Sequence, residues 1–112
     1  MKDQALVSII IPTYGRCDTL NLAVQSVLKQ DYKNIEVLVI DDNDNPIMSK
    51  KVLANLSEYQ SEPRLKYFSD GVNRGGAGAR NKGIELSIGE YITFLDDDDL
   101  FLENKISKQI DF

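Results

Sequence analysis

An α/β fold, a mostly parallel four-stranded sheet between layers of helices, follows from three observations. Two segments, Val7–Ile11 and Ile35–Ile40, are almost continuously apolar and rich in β-branched residues, as strands covered on both faces are. Segments of that kind alternate with segments whose apolar residues recur every three or four positions, which is the pattern of successive βαβ units. Acidic residues gather where strands end, and in open sheets of this class ligands sit beyond the carboxyl ends of the strands.

The elements follow in order. The first strand, Val7–Ile11, is expected to stop at Pro12, because proline cannot donate to a central ladder. Leu20, Ala23, Val24, Val27 and Leu28 recur at helical spacing, with Asp18 as the expected N-cap. Ile35–Ile40 is the second strand, and it runs into Asp41 and Asp42. Asn45 followed by Pro46 starts a second helix, since proline suits the first helical position, and Val52, Leu53 and Leu56 form its apolar face. Leu65–Phe68 is a short third strand. A third helix is predicted from Ala79 to Ser87, ended by Gly89, with Gly75-Gly76-Ala77-Gly78 as a flexible approach to it. Tyr91–Leu95 reads as a buried fourth strand. Leu102, Ile106 and Ile110 recur every fourth residue and mark one face of a last helix.

Size and charge narrow the function. A chain of 112 residues with 42% hydrophobic residues is at most one ordinary globular domain. Its net charge of −5, with no histidine, argues against a nucleic-acid backbone as partner, because such binding relies on lysine and arginine to neutralise phosphates. An acidic chain that handles phosphates needs a bridging cation. Cys17 is the single cysteine, so no internal disulfide forms, and a reducing, cytoplasmic setting is expected. The apolar run Ala5–Ile11 is too short to span a membrane and lacks the flanks of a signal peptide, which leaves peripheral membrane association open.

The strongest chemical signal is Asp96-Asp97-Asp98-Asp99 at the end of the fourth strand. Two unit charges about 5 Å apart repel by roughly 3 kcal/mol at an effective dielectric near 20. Capping the next helix accounts for one or two of these residues. Four suit a site for Mg²⁺ or Mn²⁺, hard cations that take carboxylate oxygens and keep positions free for substrate phosphates. Pro12-Thr13-Tyr14, Asp41-Asp42 and Asp96–Asp99 follow three different strands, so they converge on one crevice. Tyr14 reads either as an ordinary half-buried aromatic or as a ring for a nucleobase, with Asp42 accepting a base N–H. Arg80 reads equally as a phosphate ligand or as part of a solvated helix face. Lys50 and Lys51 read as the solvated face of the second helix. The glycines at 75–78 make a weak nucleotide fingerprint, since no Gly-Lys-Ser/Thr ending follows and Asn81 stands where a third glycine belongs. A phosphoacceptor receiver domain is excluded: its acidic pair follows the first strand, and nothing after Asp99 supplies the other partners it needs.

In this order and spacing, VSIIIPTYGR at 7–16, VLVIDDN at 37–43, GGAGARNKG at 75–83 and GEYITFLDDDD at 89–99 resemble the N-terminal half of a family 2 glycosyltransferase with the GT-A fold, a Rossmann-like architecture. The resemblance covers essentially the whole chain, so residues 1–112 are read as the nucleotide-binding part of such a domain, without its acceptor-binding half. It implies metal-assisted transfer of a sugar from a nucleoside diphosphate donor, UDP-sugar foremost, to a glycan or lipid-linked acceptor in cell-surface polysaccharide synthesis. It implies that Pro12, Thr13, Tyr14, Arg16, Asp42, Arg80 and Asp97 bind the nucleotide sugar. Asp96 and Asp98 would hold Mn²⁺ or Mg²⁺ as an Asp-x-Asp motif, with Asp98 foremost. The chain has Glu103 where the resembling proteins usually have a proline soon after the acidic run. Their catalytic base lies in the half beyond Phe112, so a truncated chain is expected to bind a nucleotide without turnover. Two other readings share the fold or the metal logic: a non-catalytic nucleotide-binding or interaction module, and a nucleotidyltransferase. The latter needs a basic, glycine-rich loop after the first strand, and Pro12–Arg16 is not one. An edge of the fourth strand left bare by truncation would favour a homodimer.

Overall fold

The computed structural model describes residues 5–15 and 18–110. The expectations for Arg16 and Cys17 lie outside the described residues. Four parallel strands, β1 (Val7–Thr13), β2 (Ile35–Asp41), β3 (Leu65–Phe68) and β4 (Tyr91–Phe94), form one sheet in the order β3-β2-β1-β4. Helices α1 (Leu20–Leu28), α2 (Pro46–Asn55), α3 (Gly75–Leu86) and α4 (Lys105–Ile110) connect and follow them.

The strand period of two sorts β1 and β2 into two faces. Val7, Ile9, Ile11, Ile35, Val37 and Val39 pack with Leu20, Ala23, Val24 and Val27 of α1, Val52 of α2 and Ile106 of α4. Ile10, Leu38 and Ile40 face the other way, against Ala79 of α3. Ile9, Ile10 and Ile11 are fully buried, and each contributes about 1.5–3 kcal/mol of burial. The three-layer architecture read from the sequence is thus the observed one, and every pairing is parallel. A side chain at Gly83 would run into Ile10, so a glycine there lets α3 lie close on the sheet.

Five local expectations need correction. The last helix starts at Lys105, so Leu102, 79% exposed, precedes it and shares no face with Ile106 and Ile110. β1 does not stop at Pro12 but continues to Thr13, with Pro12 opposite Ile40. Even-numbered positions of β1 turn their backbone toward β4, as Ile10 does in accepting from the Leu95 N–H. Pairing with β4 ends at Phe94, so the donor that Pro12 lacks is not needed there. The N-cap of α1 is Thr19 rather than Asp18, and its hydroxyl bonds elsewhere. α3 begins at Gly75, four residues before Ala79, so the glycines are inside the helix. β4 is an edge strand among the described residues rather than a buried one: Tyr91 is 55% exposed and Phe94 40%. Asn45 caps α2 as expected, accepting from the Ile47 N–H at 2.8 Å, with Pro46 at the first helical position.

The base of the sheet carries a buried polar cluster. Glu36, 3% exposed, accepts from the Ser8 hydroxyl at 2.5 Å, the Lys66 ammonium at 2.8 Å and the Ile88 N–H at 2.8 Å. Burial pushes its carboxyl up, but these donors outweigh that and hold it below the ordinary value.

Candidate functional site

Beyond the carboxyl ends of β1, β2 and β4 lies a crevice of about 440 Å³. Pro12, Thr13, Tyr14, Asp42, Arg80, Asp96, Asp97 and Asp98 all line it, which is every candidate nucleotide or metal residue within the described part of the chain. The sheet brings them together because the polypeptide returns to the same end of the sheet after each strand.

Asp41 and Asp42 have separate tasks. Asp41 is fully buried, accepting from the Tyr67 hydroxyl at 2.5 Å and from the backbone and side-chain nitrogens of Asn43 at 3.0 and 2.8 Å. Asn43 in turn accepts from the Gly15 N–H at 2.8 Å, which fixes the loop carrying Tyr14. Burial first, then the bond to Asp41, pushes the Tyr67 phenol up to about 12. Asp42 faces the crevice, and its two oxygens accept from the Arg74 and Gly75 N–H groups at 2.9 Å each. A carboxylate thus caps α3 from a distant strand end and complements its dipole. Gly75 has φ +82, a conformation that favours glycine, and so can present its N–H there. Asp42 is only 3% exposed, so most of its carboxylate is taken up in holding the start of α3.

Arg80 lies on the second turn of α3 and reaches Asp96 at 3.5 Å. A Cβ at Gly76 would sit 3.4 Å from the Arg80 guanidinium, an ordinary contact, which places that side chain along the first turn of α3. The acidic run folds as a turn in which the Asp99 N–H donates to the Asp96 carbonyl at 3.0 Å. Asp96, Asp98 and Asp99 each offer a carboxylate oxygen, and the three oxygens lie within 4.8 Å of one another. That hard-oxygen set fits Mg²⁺ or Mn²⁺. Asp97 differs: its carboxylate accepts from the Thr13 hydroxyl at 2.8 Å, and its carbonyl accepts from the Thr19 hydroxyl at 2.9 Å.

Sequence reasoning put Asp99 in the acidic cluster but named only Asp96 and Asp98 as ligands, and it did not single out Asn43, Asn73 or Thr19. Asn43 carried a signal, since a short polar residue just after a strand end favours side-chain bonds to the nearby backbone. The segment after the acidic turn is tied down by a residue with no obvious signal, Gln30, two residues past α1. Fully buried, it donates to the Leu102 carbonyl at 2.6 Å and accepts from the Ile106 N–H at 3.1 Å.

The sequence pattern of glycosyl transferase family 2 matches residues 8–112. The chain belongs to that family. It is 42% identical over 108 residues to a UDP-Glc:alpha-D-GlcNAc-diphosphoundecaprenol beta-1,3-glucosyltransferase of Escherichia coli, an alignment covering 96% of this chain and 41% of that protein. Among solved structures of the fold, S. aureus TarS 1-349 in complex with UDP-GlcNAc is 30% identical, with a TM-score of 0.74 over 92% of this chain and 29% of that one. A mannosyltransferase from Pyrobaculum calidifontis in complex with GDP-Man and Mn²⁺ is 26% identical, with a TM-score of 0.72 over 85% of this chain and 28% of that one. This family 2 chain spans between 15% and 42% of the length of the curated relatives it matches. Among the described residues, no helix is long and apolar enough to cross a membrane.

Proposed function

We propose that this chain is the donor-binding part of a glycosyltransferase that takes a nucleoside diphosphate sugar, UDP-linked foremost, together with Mn²⁺ or Mg²⁺. The observation that carries the reading is the convergence of Tyr14, Asp42, Arg80 and the acidic turn on one crevice at the strand ends. Tyr14, 59% exposed, offers a ring for the base, and Asp42 a carboxylate for a base N–H. Arg80 offers a planar, charged donor set for the diphosphate. Asp96, Asp98 and Asp99 would hold the cation, which would supply Lewis-acid neutralisation of the diphosphate leaving group. Pro12, Thr13 and Asp97 complete the wall. The bound ligands of the structural neighbours, UDP-GlcNAc in one and GDP-Man with Mn²⁺ in the other, support the donor class and the metal. The name of the Escherichia coli relative, with its diphosphoundecaprenol-linked substrate, supports a lipid-linked acceptor. Polysaccharide synthesis in the cytoplasm is the setting we assign to that transfer.

Calorimetric titration of the chain with UDP, with and without MnCl₂, tests this. Mn²⁺ is expected to strengthen UDP binding, and Asp98→Ala to abolish that gain. UDP, GDP and dTDP affinities that all ignore both Mn²⁺ and Asp98→Ala overturn it. Transfer or hydrolysis of a UDP-sugar by this chain alone would show that it also carries its own catalytic base.

A further inference from the structure

We infer that Asp97 is a positioning residue that fastens the acidic turn to the end of β1, and so sets how the other three carboxylates face the crevice. The inference deepens the proposed donor site and rests on that reading for its consequence, though not for its geometry.

The pairing of β1 with β4 runs Val7↔Tyr91 to Ile10↔Phe94. Carried on in the same register, it brings Thr13 opposite Asp97. The backbone ladder has already lapsed there, its last bond running from the Leu95 N–H to the Ile10 carbonyl. Pro12 has no N–H with which to extend it. A side-chain bond takes over at the expected register: Thr13, a residue only 2% exposed, donates its hydroxyl to the Asp97 carboxylate at 2.8 Å. The Thr19 hydroxyl, just ahead of α1, donates to the Asp97 carbonyl at 2.9 Å. One residue is thus held from two sides, by its side chain and by its backbone. Asp97 is half-buried, whereas Asp96, Asp98 and Asp99 are exposed and group together. Four successive carboxylates repel one another, and an unfastened loop would splay them apart. Fastening the second one inward leaves the remaining three on one side of the turn.

Amide hydrogen exchange on the metal-free chain reads the fastening, and Mn²⁺ titration without nucleotide reads its consequence. Thr13→Val keeps the shape and removes the donor. It is expected to speed exchange at the Asp99 amide about tenfold and to weaken Mn²⁺ binding by a similar factor, as loss of a bond to a charged group does. Thr13→Ser keeps the hydroxyl and is expected to behave as wild type in both, which separates the bond from a general loss of fold. In the double variant Thr13→Val with Asp97→Ala, the effects on exchange are expected not to add, because both changes break one bond. Unchanged Asp99 exchange in Thr13→Val, or fully additive effects in the double variant, overturns the inference. If Asp98→Asn leaves Mn²⁺ affinity intact while Thr13→Val still speeds exchange, the metal reading fails and the fastening of the turn stands.

Discussion

Asp41 and Asp42 are neighbours in sequence and serve opposite sides of the sheet. Asp41 is sealed beneath Tyr67 and Asn43, while Asp42 holds the start of α3 at the crevice wall. The two carboxylates can therefore be probed separately, Asp42 directly and Asp41 through its tyrosine donor.

Asp42→Ala removes the acceptor of two backbone N–H groups, those of Arg74 and Gly75. A loss of about 1.5–3 kcal/mol is expected in urea denaturation. UDP affinity should fall as well, because the start of α3 loses its anchor and the crevice loses the carboxylate proposed to meet the base. A variant as stable as wild type would mean that water replaces the carboxylate at the helix start.

Tyr67→Phe leaves the buried Asp41 carboxylate short of one donor, at an expected cost of about 1–3 kcal/mol. The phenol, raised to about 12 in the folded chain, stabilises the fold fully below its ordinary value of 10. That contribution is lost as pH rises from 10 toward 12. Ultraviolet titration should find one fewer tyrosine ionising near 12 in Tyr67→Phe than in wild type.

Glu36 gives the opposite pH dependence. Its carboxyl is held below its ordinary value of 4.5, so its stabilisation is present above that value and lost as pH falls through the lowered one. Glu36→Gln should cost about 1.5–3 kcal/mol at neutral pH, and the deficit should shrink in acid. Denaturant midpoints measured at both pH values check this.

Arg80→Ala should separate binding from stability. The Arg80–Asp96 ion pair is long, at 3.5 Å, and both side chains are substantially exposed. Removing it should change stability by less than about 0.5 kcal/mol. UDP affinity should nevertheless fall about tenfold in calorimetry, if the guanidinium meets the diphosphate.

Much of this arrangement was legible from short patterns. Unbroken apolar runs located β1 and β2, Asn45-Pro46 located α2, and residues following strand ends located the crevice. The start of α3 was not legible, because a glycine run has poor helix propensity and its cap, Asp42, is 32 residues away from Arg74. Pro12 misled because the rule against proline in a strand applies only where a neighbour needs its N–H. β4 looked buried because Tyr, Ile and Phe suit strands at any depth, and composition cannot tell an edge from a centre.

That exposed edge supports one more prediction. Tyr91, Ile92 and Phe94 present apolar surface beside unpaired backbone, an arrangement that favours strand pairing between copies. Light scattering across a concentration series should show self-association of the isolated chain. Ile92→Lys should reverse it, and a strictly monomeric wild type would defeat the expectation.

The acidic turn and the segment after it are tied to the rest of the molecule by bonds that reach far along the chain. Thr13, Thr19, Ser26 and Gln30 hold residues 72 to 84 positions later. Contacts of such separation carry a large loop-closure cost and form once the intervening elements are in place. The crevice should then be among the last parts of the molecule to appear during refolding. In a stopped-flow experiment, recovery of Mn²⁺ recognition should lag behind recovery of helical signal, which would make cation capture a kinetic marker that β1, α1 and β4 have come together.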